Sequence, residues 1–174
     1  FGDGAGAVVM TRAENNLVGV LNSQLHSEGK HAKELSLVGP STGRWVPEII
    51  EDNDPEDISY FPYMNGQFVF KNAVVRFTEV INAGLKQVGW KPNQIDMLIP
   101  HQANLRIAQF VQKKFGLDDN QIFNNIQRYG NTTAASIPIA LTEAWEEGKI
   151  EQGSKVVLAA FGSGFTWGSI IIQW

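Results

Sequence analysis

The chain has 174 residues, 43% of them hydrophobic and 18% charged, with no cysteine and a formal net charge of −4. That length buries one sizeable core and that composition suits a globular domain, which excludes wholesale disorder. The lack of cysteine excludes disulfides, thiolate metal sites and an internal cysteine nucleophile, and the acidic balance makes a general nucleic-acid binder a poor fit.

No apolar run approaches the roughly 18–20 residues that cross a bilayer. The opening FGDGAGAVV has neither a Met nor a basic flank, so no signal peptide is read there, and the start suggests a piece of a longer protein. Residues 2–6 (GDGAG) read as a small-residue turn leading into a strand over AVVM, residues 7–10. Leu17–Leu25 alternates enough to be a second strand. Ser27–Tyr63, rich in Gly, Pro, Ser and acids, reads as a long irregular excursion with short elements at most. Inside it, Glu48–Asp57 (EIIEDNDPED) holds six acids and no base, so the rest of the chain carries +2. Such a run reads as a solvated loop.

Helical periodicity follows from Gly66 to Val88, with Phe70, Val74, Phe77, Ile81 and Leu85 on one face. Gly89 ends the helix and Pro92 keeps it ended. Ile95–Ile99 is a short buried strand stopped by Pro100, and a second helix runs from about Ala103 to Phe115, closed by Gly116. Ile122–Ile126 looks extended. A third helix starts at Thr132 or Thr133, carries Pro138 in its first turns, reaches about Glu147 and ends at Gly148. Lys155–Phe161 is a strand, and FGSGFTWG turns into a last strand over Ser169–Trp174. The order predicts one layered α/β domain over residues 1–174, its helices covering a mixed sheet, with no internal repeat.

Polar residues at breaks in this pattern are the candidates for chemistry. His101 follows an apolar strand, and ligands in α/β sheets favour strand ends. Asn131 sits in a Gly-Asn-Thr turn at a helix start, 30 residues later. An imidazole N–H and a carboxamide N–H converging on one point make a two-donor site for a developing oxyanion. A strand-end histidine is also a common structural residue, and an Asn beside Gly is also turn chemistry. Spacing alone does not choose between these. FGDGAGAVV lacks the full phosphate-loop pattern and reads as a tight turn with close packing. In FGSGFTWG the backbone allows close approach to a ligand, and one N–H there suits a second oxyanion site. His26, His31 and His101 show no metal-ligand spacing. Arg106 and Lys113, seven apart, share a helix face, with Lys114 adjacent.

Taken together, FGDGAGAVV, MNGQFVFKNAV, PHQANLRI, YGNTTAASIP and AFGSGFTWG, in this order and spacing, resemble the β-ketoacyl-acyl-carrier-protein synthase III family of thiolase-like condensing enzymes. The resemblance covers nearly the whole chain and corresponds to that family's C-terminal half, without the cysteine-bearing half. It implies a thiolase-like layered fold and a decarboxylative Claisen condensation of an acyl-CoA primer with malonyl-carrier protein, which starts fatty acid synthesis. His101 and Asn131 match the pair that binds the malonyl thioester carbonyl. Ser163 stands where the family often has Gly, and its backbone N–H would serve the oxyanion hole of the acyl-enzyme. Gly66 and Asn104 match positions lining the pantetheine tunnel, with Gln67 departing from the Asn common there. Phe161 matches an aromatic position near the cysteine.

The resemblance also adds Lys71 to the basic set of Arg106, Lys113 and Lys114 as a surface for acidic acyl carrier protein. It further implies CoA and phosphopantetheine thioesters as substrates, no cofactor or metal, a homodimer in the full-length enzyme, a cytoplasmic location, and neither nucleic-acid nor membrane partners. The chain alone is expected to be inactive for want of the nucleophilic cysteine. Three other readings stand beside this one: a secondary-metabolite ketosynthase or acyltransferase, a non-catalytic thioester-binding module, and a nucleotide-phosphate domain built on FGDGAGAVV.

Overall fold

The computed structural model describes residues 1–13, 15–37 and 61–174. The acidic stretch Glu48–Asp57 and most of the irregular excursion lie outside the described residues.

A mixed four-stranded sheet forms the centre, in the order β1 (Gly19–Ser27), β6 (Thr166–Gln173), β5 (Lys155–Gly162), β4 (Met97–Pro100). β6 pairs antiparallel with both β1 and β5, and β5 pairs parallel with β4, Met97 opposite Val156 and Pro100 opposite Ala159. A two-stranded ribbon, β2 (Leu35–Ser36) with β3 (Tyr63–Met64), precedes the first long helix.

All of β4 is buried, and alternation along it shows why. Leu98 joins one apolar cluster with Val157, Ala159 and Ile171, whereas Met97 and Ile99 join another with Val156 and Leu158. The first cluster is covered by α1 (Gly66–Val88) and α2 (Leu105–Phe115), the second by α4 (Ser136–Glu146). A strand covered on both faces has no polar side to alternate with, so it reads as an unbroken apolar run. The result is three layers, helices on each side of the sheet.

The helix bounds follow from their caps. Asn65 Oδ1 accepts the Phe68 N–H at 3.3 Å at the start of α1, and Gly89 closes it at φ 74°. Asn104 caps α2 in the same way, and Gly116 ends it at φ 64°. Both closing residues sit in the left-handed region that favours glycine. α1 has the bounds its periodicity predicts, and α2 begins two residues after Ala103 because Asn104 serves as its cap.

Four expectations need correction. AVVM forms no strand: residues 1–13 run without regular structure, and Val9 is 94% exposed. No neighbouring strand among the described residues takes its backbone groups. Ile122–Ile126 is not a strand either, since only Ile122 bridges Leu98, and Ile126–Tyr129 turns into a short helix, α3. The third helix begins in earnest at Ser136, after a 3₁₀ turn over Thr133–Ala135. The last strand begins at Thr166, three residues before Ser169.

Among the described residues no helix is long and apolar enough to cross a membrane. Large apolar side chains are nevertheless exposed, Val8, Val9 and Met10 as a contiguous run in the N-terminal segment, and Leu17 and Leu25, the latter at 84%, towards the two ends of β1. Patches of this kind mark surfaces that associate. The chain on its own is therefore expected to self-associate in a concentration-dependent manner by light scattering. A strictly monomeric species across the concentration range would contradict this.

Candidate active site

His101 leaves the sheet directly after β4, with its backbone N–H donated to Ala159 O at 2.8 Å. That bond continues the β4–β5 ladder by one residue and fixes the backbone from which the imidazole projects. The ring is half-buried, and its Nδ1 lies 2.6 Å from Ser136 Oγ. Burial holds the His101 pKa below the ordinary histidine value, because removing the ring from water penalises its charged form. At neutral pH the ring is therefore uncharged.

Gln102, 3% exposed, makes four hydrogen bonds with one carboxamide. Its Nε2 donates to Pro100 O at 2.7 Å and Phe123 O at 3.3 Å. Its Oε1 accepts from the Asn125 N–H at 3.0 Å and the Ile126 N–H at 3.2 Å. This full complement leaves the amide no freedom to flip. It also explains why Ile122–Ile126 stops being a strand: the backbone donors there are taken by a side chain instead of a ladder.

Asn131 lies between two anchored points. Upstream, the chain is held by Gln102 at residues 125 and 126; downstream, Ser136 is held by His101 Nδ1 and by the Gln102 N–H at 3.3 Å. Between Asn131 and Ser136 the chain winds through the Thr133–Ala135 3₁₀ turn. With the 3₁₀ turn wound at about 2.0 Å per residue and the two steps before it spanning at most about 3.6 Å each, Asn131 lies within about 13 Å of Ser136. Asn131 Oδ1 accepts the Thr133 N–H at 2.9 Å, so its NH₂ group points the other way and retains its donors.

The glycine-rich opening buttresses the same loop. Gly2 N–H donates to Asn131 O at 2.9 Å, and a Cβ on Gly2 would sit 2.3 Å from Tyr129 O. A Cβ on Gly6 would meet Pro138 Cβ at 2.3 Å. The GDGAG segment is thus a close-packing strip against residues 129–138.

The other sequence candidates are distributed as follows. Ser163 is exposed in the turn between β5 and β6, its carbonyl accepting from Thr166 Oγ1 at 3.0 Å. Phe161 is buried, its ring 4.8 Å from that of Phe165. Gly66 is exposed at the start of α1, where an added Cβ meets nothing within 4 Å. Asn104 uses its carbonyl oxygen to cap α2 through the Arg106 N–H at 2.9 Å, leaving its NH₂ outward. Lys71 on α1 and Arg106, Lys113 and Lys114 on α2 are all exposed, and none pairs with a carboxylate among the described residues.

Ser136 and Gln102 were not among the sequence candidates. A serine inside a helix-forming run and a glutamine beside a histidine carry no spacing signal of their own. A separate polar cleft of about 350 Å³, lined by Gln109, Gln112, Asn124 and Arg128 among others, includes neither His101 nor Asn131.

The 3-oxoacyl-[acyl-carrier-protein] synthase III C-terminal family matches residues 85–174. Across all 174 residues the chain is 42% identical to the β-ketoacyl-[acyl-carrier-protein] synthase III of Desulfotalea psychrophila and 37% identical to that of Chlorobium luteolum, spanning 52% of each. The crystal structure of 3-oxoacyl-[acyl-carrier-protein] synthase III from Aquifex aeolicus superposes with a TM-score of 0.79 at 35% identity, over 94% of this chain and 47% of that one. The chain thus spans about half the length of the curated relatives it matches.

Replacing Gln102 by Ala orphans buried carbonyls and N–H groups on two segments at once, at about 1–3 kcal/mol for each group left dry. With water relieving part of that loss, Gln102→Ala is expected to lower unfolding stability by about 2–4 kcal/mol in chemical denaturation. A loss under about 1 kcal/mol would show that the two segments hold without the carboxamide.

Proposed function

This chain belongs to the 3-oxoacyl-[acyl-carrier-protein] synthase III C-terminal family, and from that membership we propose that it supplies the decarboxylation site of a β-ketoacyl-acyl-carrier-protein synthase III, with His101 and Asn131 as paired hydrogen-bond donors to a malonyl thioester. The observation that carries the reading is the double anchoring of the Asn131 loop to the His101–Gln102 dipeptide. It ties the segment that carries Asn131 to the dipeptide that carries the imidazole, which supports a shared site.

The chemistry asks little else of them. The bond between the malonyl carboxylate and Cα breaks, carbon dioxide leaves, and the electron pair delocalises onto the thioester oxygen. A neutral imidazole N–H and a carboxamide N–H stabilise that oxygen without giving up a proton. The resulting carbon nucleophile attacks an acyl thioester carbonyl, forming the new carbon–carbon bond and releasing the thiolate. The 174 residues contain no cysteine, so that acyl group is carried by a thiol outside them. The Ser163 N–H, in an exposed turn, suits the oxyanion of this second carbonyl. The substrates are CoA and phosphopantetheine thioesters, with Gly66, Asn104 and Phe161 along the pantetheine approach.

Lys71, Arg106, Lys113 and Lys114 stand exposed on the two helices that cover one face of the sheet. A patch of one sign steers an oppositely charged partner and sets its register more than it sets affinity. Acidic acyl carrier protein fits it. The enzyme is a soluble cytoplasmic homodimer in this reading.

Losing one preorganised donor to a developing oxyanion costs about 2.7–4 kcal/mol, or roughly 100- to 1,000-fold in rate. In an enzyme carrying this chain together with the acylatable thiol, His101→Ala and Asn131→Ala are each expected to slow malonyl decarboxylation by that factor while sparing acylation of the thiol. Equal loss of both half-reactions would contradict the assignment. Arg106→Glu is expected to weaken carrier-protein kinetics most at low salt and leave small thioesters unaffected. Unchanged carrier-protein kinetics would remove Arg106 from the docking surface.

A further inference from the structure

The contacts of one buried hydroxyl decide which ring nitrogen of His101 carries its proton. Ser136 is 2% exposed, at the first turn of α4, and its Oγ has two close partners: the Gln102 N–H at 3.3 Å and His101 Nδ1 at 2.6 Å. A backbone N–H only donates, so Oγ accepts from Gln102. The hydroxyl hydrogen remains to be placed. Among the described residues, Nδ1 is the one acceptor within hydrogen-bond distance of Oγ. Were Nδ1 protonated, two N–H groups would point at the same oxygen and the hydroxyl hydrogen would be left unpaired in the interior, which is the costly arrangement for a buried donor.

We propose that Ser136 is a positioning residue that donates to Nδ1 and so locks His101 in the tautomer with its proton on Nε2. The lowered pKa of the ring agrees, since it removes the doubly protonated form from consideration near neutrality. The consequence is specific. An Nε2–H faces a developing oxyanion as a donor, whereas the opposite tautomer would present a lone pair to it and repel it. The same hydroxyl ties the loop after Asn131 to the ring, so one side chain sets both the proton and the placement. This purpose rests on the decarboxylation reading, while the tautomer itself rests only on the contacts around Ser136.

Nitrogen-15 NMR of the histidine-labelled chain tests it directly. His101 is identified by the resonances lost in His101→Ala, leaving those of His26 and His31. At neutral pH, Nδ1 of His101 is expected in the unprotonated range and Nε2 in the protonated range. Ser136→Ala is expected to bring in a second population protonated at Nδ1, and Ser136→Thr, which keeps the hydroxyl, to restore the single tautomer. A proton on Nδ1 in the unsubstituted chain overturns the proposal, and that reading needs neither Ser136 variant to fold. So does a Ser136→Ala chain whose tautomer is unchanged. Normal decarboxylation by His101→Ala, with the expected tautomer present in the unsubstituted chain, would instead remove the functional reading and leave this one standing.

Discussion

The site depends on one side chain more than on any other: the buried carboxamide of Gln102, which spends all four of its hydrogen-bonding positions on backbone. Its two donors hold Pro100 O, at the end of β4, and Phe123 O, on the neighbouring segment. Its two acceptor positions hold the N–H groups of Asn125 and Ile126. The carboxamide therefore substitutes for the strand ladder that would otherwise continue, and it does so at the place where the chain must leave the sheet. Interior polar groups in a low dielectric are strong when fully paired and costly when partly paired. That is why this arrangement has a single geometry.

From that constraint the rest follows in order. β4 is buried on both faces, so its end cannot shift without moving two apolar clusters, one under α1 and α2 and one under α4. His101 is the first residue beyond that rigid strand, and its own N–H still bonds to β5. Ser136, at the start of α4, closes the loop from the other side. Asn131 is thus carried on a segment with both ends fastened, with Gly2 and Gly6 filling the space behind it where any Cβ would collide. A site intended to meet a transient charge benefits from this rigidity, because donors already in place need no reorganisation when the charge appears.

Much of this architecture was legible in the residues. α1 was readable to its ends, because its apolar stripe is long and its closing glycine unambiguous. The Gly116 terminator of α2 was equally plain, whereas the buried strand expected over Ile95–Ile99 runs over Met97–Pro100, with Pro100 inside it rather than stopping it. Where local pattern failed, tertiary contacts had taken over. AVVM has every propensity for a strand, yet propensity supplies no partner, and its outward groups meet none among the described residues. Ile122–Ile126 is apolar and β-branched at its ends, but Gln102, more than twenty residues earlier, takes the N–H groups of Asn125 and Ile126. His101 and Asn131 stood out because they interrupt regular structure. Ser136 did not, because its role is a contact 35 residues distant along the chain and nothing in a helix start announces it.

In the proposed reaction His101 and Asn131 act on the same atom. The most direct measurement is a crystal structure of an enzyme carrying this chain with a non-hydrolysable malonyl-thioester analogue bound. Both His101 Nε2 and Asn131 Nδ2 are expected about 2.7–3.1 Å from the thioester oxygen. An analogue whose thioester oxygen meets only one of the two, or neither, would contradict the account.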